Sequence, residues 1–91
     1  MTKDDLVHFI ARVQAENRIQ IPTEVRQYLK LESGKSLRIR IATISNFSFD
    51  EEFIAKLASD GRITVPWEIR WKLEIQPGNM VHMYIFHRKQ K

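Results

Sequence analysis

Residues 9–41 and 53–85 align without a gap, 44 positions apart, and this internal repeat limits the possible folds more than any other feature of the chain. The first copy reads FIARVQAENRIQIPTEVRQYLKLESGKSLRIRI and the second FIAKLASDGRITVPWEIRWKLEIQPGNMVHMYI. Eleven of the 33 pairs are identical: Phe9/Phe53, Ile10/Ile54, Ala11/Ala55, Arg18/Arg62, Ile19/Ile63, Pro22/Pro66, Glu24/Glu68, Arg26/Arg70, Leu29/Leu73, Gly34/Gly78 and Ile41/Ile85. Most others are conservative, as in Arg12/Lys56, Glu16/Asp60, Val25/Ile69 and Leu31/Ile75. A register of apolar positions kept over this length without insertion marks a duplication. The chain is expected to be one domain, residues 1–91, built of repeats 6–44 and 50–88.

Each copy predicts strand, strand, short helix, strand. Val7–Gln14 and Phe53–Ala58 mix polar residues with β-branched and aromatic ones, as strands do. Tight turns follow at AEN and SDG, where Asn17 and Gly61 tolerate positive φ. Arg18–Ile21 and Arg62–Val65 alternate apolar and polar residues with period two, so one face is buried and the other exposed. Pro22 and Pro66 end these strands, because proline has no N–H for the ladder. Val25 and Leu29, and likewise Ile69 and Leu73, then stand at i and i+4 on one face of a helix of about two turns. Glu24 and Glu68 fall in the first turn, where the helix dipole favours negative charge. ESG and QPG close the helices at Gly34 and Gly78, and Leu37–Ile41 and Val81–Ile85 alternate again.

Three short strands and a two-turn helix leave one side of their sheet open. Two copies facing each other across a pseudo-two-fold axis enclose that side and remove exposed strand edges. A mainly β, closed pseudo-two-fold barrel of six strands is the expected fold, with SNFSFD as the one candidate for a seventh. The connector ATISNFSFDEE carries Phe47 and Phe49, unlike a flexible linker between independent domains.

Composition sets the remaining limits. At 43% hydrophobic and 29% charged, the chain is globular in character. It has no cysteine, so disulfides and thiolate metal sites are excluded. No apolar run reaches the roughly 20 residues that span a bilayer, and MTKDDLVHF has no apolar signal core. A cytoplasmic protein with no membrane partner is expected. The net charge of +4 and isoelectric point near 9.7 favour a polyanionic partner only mildly.

The pattern G-R-I-x-[IV]-P-x-E-[IV]-R-x-x-L-x-I-x-x-G, present in the second copy as GRITVPWEIRWKLEIQPG, closely resembles the SpoVT-AbrB superfamily of DNA-binding domains. That superfamily includes AbrB-type transition regulators, MazE-like antitoxins and MraZ. The first copy keeps most of the pattern, with Asn17 for the glycine and Glu32-Ser33-Gly34 at the closing turn. The motif covers about eighteen residues per copy, and the flanking strands extend the resemblance over most of the chain. The resemblance implies a swapped-hairpin barrel, normally made by homodimerisation and here by the tandem pair. A double-psi β-barrel is the alternative topology, since typical members have a fourth strand per unit that the 44-residue period does not provide.

By the same resemblance, duplex DNA is the expected partner and the function is transcriptional regulation. DNA contacts would come from Arg18 and Arg62 in the hairpins, Arg26 and Arg70 in the helices, and Arg12 and Lys56 on the first strands. Arginine suits this role because its rigid fork of donors matches phosphates and guanine edges. Two copies about a pseudo-dyad match the two strands of a duplex. The competing reading is structural: Arg26 and Arg70, two positions after Glu24 and Glu68, would pair with acids of the opposite copy. Residues 1–44 carry eight basic against five acidic residues and residues 45–91 seven against six, so the halves need not contribute equally. The surplus comes from Arg38 and Arg40, replaced by His82 and Tyr84 in the second copy.

Trp67 and Trp71 replace Thr23 and Gln27 and share one face of the second helix. They predict a hydrophobic contact, with Phe47 or Phe49, with a homodimer mate or other protein, or with stacked bases. A protein-interaction barrel using the Trp67/Trp71 face is therefore the alternative function. Its antitoxin form is disfavoured by the short segment after Ile85. No enzyme is expected. His8, His82 and His87 lack ligand spacing, and Ser33, Ser45, Ser48 and Ser59 lie in no nucleophile elbow. Asp50-Glu51-Glu52 reads as a solvated turn or strand entry, and HRKQK as a basic tail. No cofactor, metal or small-molecule substrate is implied.

Overall fold

The computed structural model describes the backbone of residues 4–44 and 46–88, and the side chains of residues 6–44 and 50–86. The elements in chain order are β1 (Asp4–Arg12), β2 (Arg18–Gln20), α1 (Thr23–Leu29), β3 (Ser36–Thr43), β4 (Asn46–Lys56), β5 (Arg62–Thr64), α2 (Trp67–Leu73) and β6 (Met80–Arg88). A single 3₁₀ turn, Ala15–Asn17, precedes β2. The fold is mainly β with two short helices, and its strands form two antiparallel sheets.

The larger sheet has the order β1-β6-β3-β4, and the smaller pairs β2 with β5. Every first strand finds its third-strand neighbour by one register: Arg12 faces Met80 in the β1–β6 ladder and Lys56 faces Ser36 in the β4–β3 ladder, the same match moved by one repeat. Two ladders join equivalent strands to each other. In β2–β5 the equivalent residues Ile19 and Ile63 stand opposite, and in β3–β6 Arg40 stands opposite Tyr84. The pseudo-dyad passes through those two pairs, so the duplication is a structural symmetry as well as a sequence one.

The alternation of side chains decides what each sheet shows to the core. From the small sheet and its ends come Ile19, Ile21, Ile63 and Val65; from the large one Leu37, Ile39, Ile41, Phe53, Leu57, Val81, Met83 and Ile85. These residues form one cluster, closed at the sides by Leu29 and Ile69 of the helices, with Val25 and Leu73 packed against it. Burying a side chain of this kind is worth about 1.5–3 kcal/mol relative to leaving it exposed. The two repeats contribute to the cluster alike, so neither has a core of its own. Among the described residues the ladders form two facing antiparallel sheets, with no ladder joining one to the other; β1 and β4 are the outer strands of the larger sheet's order.

Two expectations about the connector and the helix ends need correction. The segment SNFSFD supplies no seventh strand, because Asn46–Asp50 is the beginning of β4. The long β3 draws the connector into a hairpin, and a register shift between Ala42 and Thr43 absorbs its extra residues. The expected contact of Trp67 or Trp71 with Phe47 or Phe49 lies outside the described side chains, as do His87 and the HRKQK tail.

The helices keep the expected length but stop differently. Lys30 and Glu74, not the later glycines, adopt the left-handed conformation that ends each one, at φ 54° and φ 56°. Leu31 N–H then bonds the Arg26 carbonyl and Ile75 N–H the Arg70 carbonyl, each at 2.9 Å, a Schellman closure. Leu31 and Ile75 are apolar and pack on the core, which draws the chain inward at that point. Gly34 and Gly78 also hold positive φ, four residues further on in separate turns. Among the described residues, no helix is long and apolar enough to cross a membrane.

Candidate nucleic-acid interface

The outward face of the β2–β5 ribbon is polar because its inward face is isoleucine. With Ile19 opposite Ile63, the neighbouring side chains turn outward as two cross-strand pairs, Arg18 with Thr64 and Gln20 with Arg62. Arg18 and Arg62 are thus equivalent residues lying diagonally across the pseudo-dyad, within reach of one common group. That group is Asp60. Its Oδ2 accepts from Arg18 at 3.1 Å and from Arg62 at 3.5 Å, while its Oδ1 accepts the Arg62 backbone N–H at 3.2 Å. Gln20 completes the network: its side-chain oxygen accepts from Arg62 Nε at 3.3 Å, and its amide donates to the carbonyls of Asp60 and Gly61, both at 3.1 Å. Two guanidinium groups against one carboxylate leave the cluster cationic.

Arg26 stands beside this network. A Cβ on Gly61 would lie 2.7 Å from the Arg26 guanidinium carbon and 2.7 Å from the Gln20 amide nitrogen. Gly61, at φ 81°, therefore serves both the turn and the close approach of Arg26. Arg26 Nε donates back to the Ile21 carbonyl and Arg70 Nε to the Val65 carbonyl, each at 3.1 Å. These carbonyls precede Pro22 and Pro66, so each arginine braces the corner where strand becomes helix. Arg26 also donates to Thr23 Oγ1 at 3.1 Å. Among the described residues, backbone carbonyls of their own repeats, and not acids of the opposite repeat as the competing structural reading has it, hold Arg26 and Arg70.

Arg12 and Lys56 are not drawn into this network. They end β1 and β4 on the outward face of the larger sheet, where Arg12 donates to the Gly78 carbonyl at 3.0 Å. Arg38 and Arg40 are likewise distant from the ribbon, on the far side of the core. Arg38 and Arg40 both bond Glu52, Arg40 lies 3.8 Å from Asp50, and both guanidinium groups sit over the Phe86 ring. These bonds, first that from Arg38, hold the Glu52 carboxyl below the usual carboxylate range. Asp50-Glu51-Glu52 is therefore an ion-paired part of β4, with Glu51 3.7 Å from Lys72, and not a solvated turn. The extra charge of the first repeat lies on the opposite side of the molecule from Arg18 and Arg62.

Two further features complete the surface. Trp67 and Trp71 are 63% and 74% exposed and flank an open groove with Arg70, Lys72 and Ile75. His8 and His82, 74 residues apart in sequence, meet on the outward face of the larger sheet. His8 Nε2 and His82 Nδ1 are 2.9 Å apart, and both rings stack with Tyr84. The two histidines are thus adjacent, which their sequence positions concealed. No group of three or more His, Cys, Asp or Glu among the described residues could hold a metal ion.

Sequence reasoning found the arginines but missed Asp60 and Gln20. The sequence carries only a partial signal, Asp60 two positions before Arg62 in the turn that opens its strand; that Asp60 also reaches Arg18 follows from the β2–β5 pairing.

No protein-family model matches the chain, and no curated protein matches it. Among solved structures, the chain is similar to the solution structure of PHS018 from Pyrococcus horikoshii, with a TM-score of 0.75 and 23% identity. The match covers 92% of this chain and 95% of that one. At this identity the likeness shows a shared fold.

Proposed function

We propose that the chain is a DNA-binding regulator of AbrB-like type that grips duplex DNA with paired arginines from its two repeats. The observation that carries this reading is the placement of Arg18 and Arg62 as symmetry equivalents on the exposed face of the β2–β5 ribbon, either side of Ile19 and Ile63. The sequence motif that contains both arginines is the motif of the AbrB-like resemblance. On this reading the facing sheets form a swapped-hairpin barrel, each repeat's first strand pairing with the third strand of the other. Phosphate neutralisation supplies most of the affinity. Arg26 and Arg70 set the orientation of the ribbon relative to the helices and approach the same phosphates with the guanidinium nitrogens that their carbonyl bonds leave over. A titration of labelled duplex DNA at low ionic strength tests the reading. Saturable binding, weakened at least tenfold by Arg18→Ala with Arg62→Ala, is expected; no binding at low ionic strength would overturn it.

A second reading rests on the exposure of Trp67 and Trp71: a protein-interaction surface, for a second copy or another protein. If a second copy is the partner, sedimentation shows a dimer that Trp67→Ser with Trp71→Ser converts to a monomer. A wild-type monomer at high concentration would contradict that form.

A further inference from the structure

We infer that Asp60 is an internal stand-in for a phosphate, which occupies the two ribbon arginines and competes with DNA for them. The inference rests on the DNA-binding reading and adds its regulation. A phosphodiester oxygen bridged by two guanidinium groups would sit where Asp60 Oδ2 now sits, 3.1 Å from an Arg18 nitrogen and 3.5 Å from an Arg62 nitrogen. The carboxylate is 44% exposed, so an incoming anion can reach and displace it.

The pseudo-symmetry supplies the contrast that isolates this role. Glu16 occupies the equivalent position in the first repeat, with its backbone at φ 62° in the corresponding turn. The ion pairs that the described residues give Arg18 and Arg62 both run to Asp60, and neither runs to Glu16. One repeat therefore carries the clamp and the other does not. The second Asp60 oxygen is used differently: Oδ1 accepts the Arg62 backbone N–H and shapes the turn. Asparagine can make the turn contact but presents no anion to the guanidinium groups. Asp60→Asn thus removes the competitor and keeps the local fold.

The test compares duplex DNA affinity for the wild-type chain, Asp60→Asn, Glu16→Gln, and Arg18→Ala with Arg62→Ala at one salt concentration near 0.1 M. Asp60→Asn is expected to tighten binding about three- to tenfold, within the range that two exposed ion pairs allow. Glu16→Gln removes the same charge from the equivalent turn and is expected to change affinity less than about twofold. Equal gains from both variants, or no gain from Asp60→Asn, would overturn the clamp while leaving the DNA reading in place. Binding that ignores the arginine substitutions would overturn the reading itself and the clamp with it. Asp60→Ser, whose hydroxyl can cap the same turn, gives the same comparison if the asparagine variant fails to fold.

Discussion

Gly61 is the residue on which the turn and the site both depend. Its φ of 81° is one that side chains rarely adopt, and the Arg26 guanidinium and the Gln20 amide lie over its Cα. Gly61→Ala therefore meets backbone strain of about 1–2 kcal/mol, partly offset by the lower entropy of alanine in the unfolded chain. It also pushes Arg26 and Gln20 away from the ribbon. A net destabilisation of about 1 kcal/mol is expected in chemical denaturation, with a Gly78→Ala control showing the strain alone, because no atom crowds a Cβ there. Equal destabilisation at both positions would mean that the close approach of Arg26 has no energetic weight. At the same scale, Arg26 and Arg70 show how a polar pair repeated in a duplication can have two duties. Each commits its Nε to the carbonyl before a proline and keeps the rest of its fork for other partners.

Among the elements, the β3–β4 hairpin carries ion pairs whose contribution to stability follows pH. Arg38 and Arg40 on β3 hold Glu52 on β4 below the usual carboxylate range. A depressed pKa means that the ionised form is favoured by folding. Its contribution is fully present above the ordinary glutamate pKa of about 4.3 and is lost as the pH falls through the lower folded value. The melting temperature of the wild-type chain should exceed that of Glu52→Gln at pH 7, and the difference should vanish on acidification well below about pH 4. A difference independent of pH would remove the ion pairs as its cause. The elements themselves were largely legible in the sequence, since period-two alternation and the two prolines mark β2, β5 and the helix starts. The left-handed helix ends at Lys30 and Glu74 were not legible, because glycine is the usual signal there and these positions carry long charged side chains. Nor could local pattern reveal the merging of the connector into β4, which follows from pairing with β3. The arginines of the site were legible from the repeat, whereas their shared carboxylate was not, since Arg18 and Asp60 are 42 residues apart.

For the whole molecule, the duplication acts as a covalent dimer. β1 pairs with β6, β2 with β5, and β3 with both β4 and β6, so residues 1–44 alone lack the ladder neighbours of all their strands. That fragment is expected to be unfolded or dimeric by circular dichroism and sedimentation; a folded monomer would contradict the shared core. The same arrangement sets equivalent arginines across the pseudo-dyad while allowing the halves to differ, as Asp60 and the two tryptophans do. The central claim is that Arg18 and Arg62 neutralise DNA phosphates, and the salt dependence of duplex binding tests it most directly. The account predicts that the logarithm of affinity falls linearly with the logarithm of salt concentration. Replacing both arginines by alanine should make the slope shallower by about 1.8, or about 0.9 for each phosphate no longer neutralised. A slope unchanged by the double substitution, or binding insensitive to salt, would contradict it.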